Sequence, residues 1–96
     1  MVITKEIAVG KKTIICLSLN LLSKNLIVLR GSNGYVMCGY LDLTIAEKFQ
    51  DAAVRVTGVS SIEEALEARV DSCTGLAEKL GIHKGQPIQE VLPLIA

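Results

Sequence analysis

The chain reads as a two-layer α/β (α+β) domain: a five-stranded, mixed but mostly antiparallel sheet with one parallel crossover, packed by about three helices. Three observations predict it. The first half is a series of β-branched and apolar runs separated by turn residues. A short helical segment, LTIAEKFQDA, stands between two such runs, a spacing that suits a right-handed parallel crossover. A longer run from Ser60 to Gly81 carries apolar residues at the helical period.

Taken in order, VITKEIAVG alternates loosely and ends at Gly10, and TIICLSL (Thr13 to Leu19) is β-branched and apolar. Gly10-Lys11-Lys12 between them predicts a hairpin turn. Asn20 to Asn25 is a loop, and Leu26 to Arg30 is a third strand. Asn33-Gly34 then tolerates the positive φ angles of a two-residue type I′ turn. Such a turn sets a register in which Ser32 faces Tyr35, Arg30 faces Met37, Leu29 faces Cys38 and Ile27 faces Tyr40. Side chains alternate between the two faces of a strand. Cys38 therefore shares a face with Ile27, Leu29, Val36 and Tyr40, and Arg30 points to the other.

Thr44 and Glu47 form T-x-x-E, the pattern of a capping box, and Ile45, Ala46 and Phe49 lie on one face of a helix of about two turns. Ala52 to Val59 is the fifth strand. Ser60 and Ser61 each precede a glutamate by three residues, so either can cap the next helix. That helix is expected to run about 20 residues to Gly81, with Ile62, Ala65, Leu66, Cys73, Leu76, Ala77 and Leu80 as one stripe. Arg69 falls in the middle of the stripe, where a charge must be paired, must reach the rim, or must line an interface or pocket. Pro87 suits a helix start, Ile88, Val91 and Leu92 are spaced for a short amphipathic helix, and Pro93 is expected to end or distort it.

At 96 residues the chain is one domain, residues 1–96. Half of it is apolar and the mean hydropathy is +0.45. No apolar run approaches the ~20 residues of a membrane span, and residues 1–9 mix both charge signs unlike a signal peptide. The expectation is a cytoplasmic protein, with no membrane association, whose apolar surplus lies in a sheet or at a homo-oligomeric interface. Ten basic and ten acidic residues, few aromatics and no basic stripe argue against nucleic-acid binding. Cys16, Cys38 and Cys73 are odd in number and widely spaced, and His83 is the single histidine. Neither a disulfide framework nor a metal site is expected, and no cofactor is indicated.

In a parallel strand pair, ligands bind beyond the carboxyl ends. Here those ends are Tyr40 to Asp42 and Thr57 to Ser61, so the ligand candidates are Tyr40, Asp42, Thr57, Ser60 and Ser61, with Arg69 added for its misplaced charge. In TGVSS a helix start offers free amides, but Glu63 and Glu64 compete for them and no P-loop lysine is near. A structural cap is the preferred reading. A thiol becomes reactive beside a cation or a base, and apolar surroundings raise its pKa. With Arg30 on the far face, Cys38 is read as structural. Asp42 can act as acid or base, or can hold turn backbone, and the latter is preferred. Two functional classes remain. One is a homo-oligomeric module that binds a protein partner or small-molecule ligand, without assignable catalysis. The other is a small enzyme or thiol-based sensor using Cys38 with Tyr40 and Asp42.

NGYVMCGYLD, followed by GVSSIEEALEARV and AEKLGIHKG, resembles the YunC-like family of small bacterial and archaeal proteins, a domain-of-unknown-function family. The resemblance covers roughly Leu22 to Leu92. It implies a small α/β domain and supplies no established reaction or catalytic residue. The family motif falls on Gly34, Val36, Met37, Cys38, Gly39 and Tyr40, then on Gly58 and Val59.

Overall fold

In a computed structural model describing residues 1–96, the strands lie side by side in chain order. They are β1 (Val2–Val9), β2 (Lys12–Asn20), β3 (Asn25–Arg30), β4 (Tyr35–Met37), β5 (Ala53–Arg55) and β6 (Ser72–Cys73). Helix α1 (Leu43–Lys48) links β4 to β5, α2 (Ile62–Leu66) precedes β6, and α3 (Gly75–Lys79) and α4 (Ile88–Ile95) complete the chain. Every neighbouring pair is antiparallel except β4–β5, which is the expected parallel crossover. The single open sheet thus has six strands, one more than expected, and four helices pack it.

Alternation along the strands sends Ile14 and Cys16, Ile27 and Leu29, Val36, and Val54 to one buried face. Ile62 and Ala65 of α2, and Ile88, Val91, Leu92 and Ile95 of α4, close over that face. Fully burying one such side chain contributes roughly 1.5–3 kcal/mol. The opposite face remains largely open. Leu17, Leu19, Leu26, Val28 and Met37 are half-buried there, and Ile15 is 46% exposed. The β1–β2 hairpin turns on Gly10-Lys11, with Gly10 at φ +63° and Lys12 already in the ladder.

The second hairpin departs from expectation. Arg30 pairs with Tyr35, Leu29 with Val36 and Val28 with Met37, so the loop is Gly31–Gly34 and neither Asn33 nor Gly34 has a positive φ. The cause is α4. Its end lies on this loop, where the Asn33 N–H donates to the Ile95 carbonyl at 2.8 Å. The Ser32 hydroxyl and the Asn33 side-chain amide each donate to the Ala96 carbonyl at 2.9 Å. A Cβ on Gly31 would strike the Ile95 carbonyl, and one on Gly34 the Ala52 carbonyl. These glycines serve close approach, not backbone curvature. Because the register moved by two residues, the faces did not change. Cys38 still lies with Ile27, Leu29 and Val36, and its N–H donates to the Ile27 carbonyl at 3.1 Å. Tyr40 does not join them: the strand ends at Met37, the chain turns, and Tyr40 is 52% exposed.

Three other expectations are corrected. Asp42, not Thr44, caps α1, and Glu47 instead accepts the Gly75 N–H at 2.6 Å. The long helix is three elements. Helix α2 stops at Glu67, and Val70, Ser72, Cys73 and Thr74 are poor helix formers that find strand partners. The Val70 N–H donates to Gln86, Ile88 donates to Ala68, and Cys73 pairs with Val54. Leu76 is therefore exposed and Cys73 only half-buried. Pro93 does not end α4, which continues to Ile95.

Buried Thr74 ties this region together. Its hydroxyl donates to the Asp51 carbonyl at 2.7 Å and accepts from the Ala53 N–H at 3.0 Å and the Ala77 N–H at 3.3 Å, capping α3. Thr74→Val keeps the shape but leaves the buried Ala53 donor unpaired, so a loss of about 1–3 kcal/mol is expected in urea unfolding. Gly31→Ala is expected to cost about 1–3 kcal/mol by the same measurement, because backbone and not a flexible side chain must move. Gly10→Asn, at an open left-handed position, is the mild control.

Candidate functional site

Beyond the carboxyl ends of β4 and β5 lies a cleft of about 770 Å³. Cys38, Gly39 and Tyr40 form one wall and Arg55 with Thr57–Ser60 another. The loop between β2 and β3 closes the third side with Lys24 and Asn25. Asn25 fixes that loop: its amide donates to the Ser60 carbonyl at 2.9 Å and accepts from Asn20 at 3.0 Å.

Of the residues singled out from the sequence, Cys38, Tyr40, Thr57 and Ser60 come together in this cleft. Asp42, Ser61 and Arg69 lie outside its lining. Asp42 Oδ1 accepts the Thr44 and Ile45 amides at 2.9 and 3.3 Å, which commits the carboxylate to the start of α1. The Ser61 hydroxyl accepts the Glu64 N–H at 3.1 Å as the cap of α2. Arg69 is exposed and donates to the Gly85 carbonyl at 2.9 Å.

Cys38 is 4% exposed, within the hydrocarbon core at the cleft's inner edge. The Ile27 N–H donates to its sulfur at 3.4 Å. Burial pushes the Cys16 thiol up, against a smaller opposing pull from Lys5, and pushes the Cys73 thiol up with help from Glu78 and Glu47. The Tyr35 phenol is raised chiefly by burial and then by its 3.1 Å bond to Asp51. No group of three or more His, Cys, Asp or Glu side chains gathers to hold a metal.

Two cations in the cleft escaped the sequence reading. Arg55 meets Asp71 at 3.7 Å through Nη1 and the Gly39 carbonyl at 3.5 Å through Nη2, while its buried Nε has no partner. An unpaired buried donor costs about 1–3 kcal/mol. Its signal was present: one arginine between valines in AAVRVTGV, just before the strand's carboxyl end. Lys24 gave none, because only the β2–β3 loop's closure on Ser60 brings it here.

The cleft's second wall leads into α2 through a charged cap. Glu64 Oε1 accepts the Ser60 N–H at 2.7 Å and the Ser60 hydroxyl at 2.9 Å, which holds the carboxyl below its ordinary value. A group whose pKa is lowered in the folded state contributes stability above its unfolded pKa and loses it as pH falls through the folded one. The Glu64 carboxyl should therefore titrate below a free glutamate when followed by carbon-detected NMR. Its stabilising contribution should vanish as the pH falls below that point, and Glu64→Gln should remove this part of the acid dependence.

Residues 37–95 match the family described as "Domain of unknown function (DUF1805)". The uncharacterized protein YunC of Bacillus subtilis (strain 168) is 36% identical over 72 residues, covering 71% of each chain. The crystal structure of a protein of unknown function from Thermoplasma acidophilum has a TM-score of 0.95 and 33% identity, over 100% of this chain and 94% of that one. The cleft walls of Cys38 to Tyr40 and of Arg55 with Thr57 to Ser60 both fall in the matched segment, and the chain belongs to the DUF1805 family, the YunC-like domain.

Proposed function

We propose that the protein is a homo-oligomeric binding module, without catalysis of its own, whose copies meet through the open sheet face and leave the cleft free for a small-molecule ligand. The observation that carries this reading is the open face itself. Val2, Ile15, Leu17, Leu19, Leu26 and Val28 make a continuous apolar surface across three strands, with Val2 and Ile15 each about half exposed or more. An apolar patch of this kind on a small domain marks an interaction site. The charges along it favour a second copy. Glu6, Ile15 and Arg30 lie in one row across β1, β2 and β3, and neither Glu6 nor Arg30 has an ion-pair partner in the chain. A two-fold axis along β2 stacks Ile15 on Ile15 and brings Glu6 over Arg30 of the partner subunit, as an isologous contact requires. Three free cysteines fit a reducing cytoplasm.

The thiol-sensor reading keeps one supporting observation, the place of Cys38 on the cleft wall. Its burial among the hydrocarbon side chains of the core favours the binding module. Thiol labelling against pH separates the two. A sulfur that is slow to label in the native state and normal after denaturation supports the binding module; fast native labelling near neutral pH supports the sensor.

Light scattering after size exclusion tests the assembly. An oligomer is expected, with Ile15→Lys driving it to monomer. Glu6→Arg and Arg30→Glu should each weaken it, and the two together should restore it. A wild-type monomer at high concentration would overturn the reading.

A further inference from the structure

We propose that the cleft beyond β4 and β5 binds a small molecule through an oxyanion head, a phosphate or a carboxylate, with Arg55 and Lys24 as its charged anchors. The proposal rests on the binding-module reading and adds the chemistry of the ligand.

The lining is electrostatically one-sided. Acids and bases balance over the whole chain, yet two cations and no carboxylate line this cleft. The acids that touch its walls are already committed. Asp71 meets Arg55 at a long 3.7 Å, and Glu64 is held by Ser60. Arg55–Asp71 is the one ion pair in the chain, so Lys24 faces the cleft without a carboxylate partner. The Arg55 contact to Gly39 is at the outer limit of a hydrogen bond, and its Nε–H is unspent. A guanidinium with donors to spare presents the fork that planar or tetrahedral oxyanions accept.

The backbone adds donors. The amides of Gly39, Thr57, Gly58 and Val59, all cleft residues, donate to nothing within the chain. Gly58 adopts φ +71°, so the 57–60 segment bends as few side-chain-bearing residues would allow. Consecutive free amides beside a bend favour anions. The Tyr40 and Thr57 hydroxyls can bond the body of the ligand, and a volume of about 770 Å³ suits a small metabolite. The Ser60 hydroxyl is spent on Glu64 and takes no part.

The test is a titration of the ¹⁵N-labelled full chain with inorganic phosphate and, separately, with acetate, at constant ionic strength set by sodium chloride. Saturable shifts are expected at the amides of Gly39, Thr57, Gly58 and Val59 and at Arg55 Nε–H, and the stronger response tells which head is preferred. Tetramethylammonium chloride should leave them still. Arg55→Gln should weaken the interaction about tenfold or more. Lys24→Gln, on an exposed loop, should weaken it several-fold without touching the fold, and Lys11→Gln at the β1–β2 turn should not. Shifts that never saturate and scatter over surface lysines would overturn the proposal, as would Arg55→Gln and Lys24→Gln variants that respond like the parent. If native mass spectrometry instead finds a neutral or cationic small molecule bound at these amides, the oxyanion assignment fails and the binding module stands. Light scattering on the same samples reads the assembly independently.

Discussion

The contact on which the rest depends is the seating of the last turn of α4 on the Gly31–Gly34 loop. Backbone meets backbone there, with no room for a Cβ at Gly31. That contact sets the length of the loop, and the loop sets the register between β3 and β4. The register decides where β4 stops, and so which residues leave the ladder to wall the cleft. The same helix carries Ile88, Val91, Leu92 and Ile95 into the core, and the segment before it supplies the carbonyl and N–H that hold residues 68–70 as strand-like chain. Core, hairpin and cleft share one cause.

How much of this could be read from the residues varies by scale. Strand and helix existence followed from apolar patterning, and the parallel crossover from the length of the connection. Facial assignment survived a wrong turn, because a shift of two residues preserves parity: Cys38 stayed with Ile27, Leu29 and Val36. The Asn-Gly pair signals a backbone angle, whereas Gly31 answers to a helix more than 60 residues away in sequence and Gly34 to the Ala52 carbonyl. The long helix failed where its pattern was already inconsistent. Arg69 sat in the apolar stripe, and the chain there is not helical at all. At the site, Tyr40, Thr57 and Ser60 were legible from the rule for parallel strand ends. Arg55 is visible in the sequence as a charge among valines, but strand patterning alone does not say that it reaches a cleft. Lys24 was beyond reach, since its place comes from Asn25 holding a distant carbonyl.

The two faces of the sheet divide the labour. One is sealed by α2 and α4 and supplies the packing. The other keeps branched apolar side chains half-covered, with charges at its margins. The cleft lies at the ends of the strands, clear of both, so a covered sheet face and an occupied cleft are compatible in one molecule. Asp42, Ser61 and Glu64 spend their polar atoms on helix starts. The residues that keep donors to spare, Arg55, Lys24 and the 57–59 backbone, are gathered on the cleft instead.

Strand order that follows chain order has a kinetic meaning. From β1 to β4 each antiparallel neighbour can zip onto the one before it after a short loop closes, whereas β4 to β5 and β5 to β6 each have a helix between them. Loop-closure entropy for such local pairings is small. The docking of residues 88–96 onto the turn at 31–34 instead closes a loop of most of the polypeptide. Until that long-range contact forms, the ladder lacks the α4 part of the cover over its apolar side, where Ile88, Val91, Leu92 and Ile95 belong.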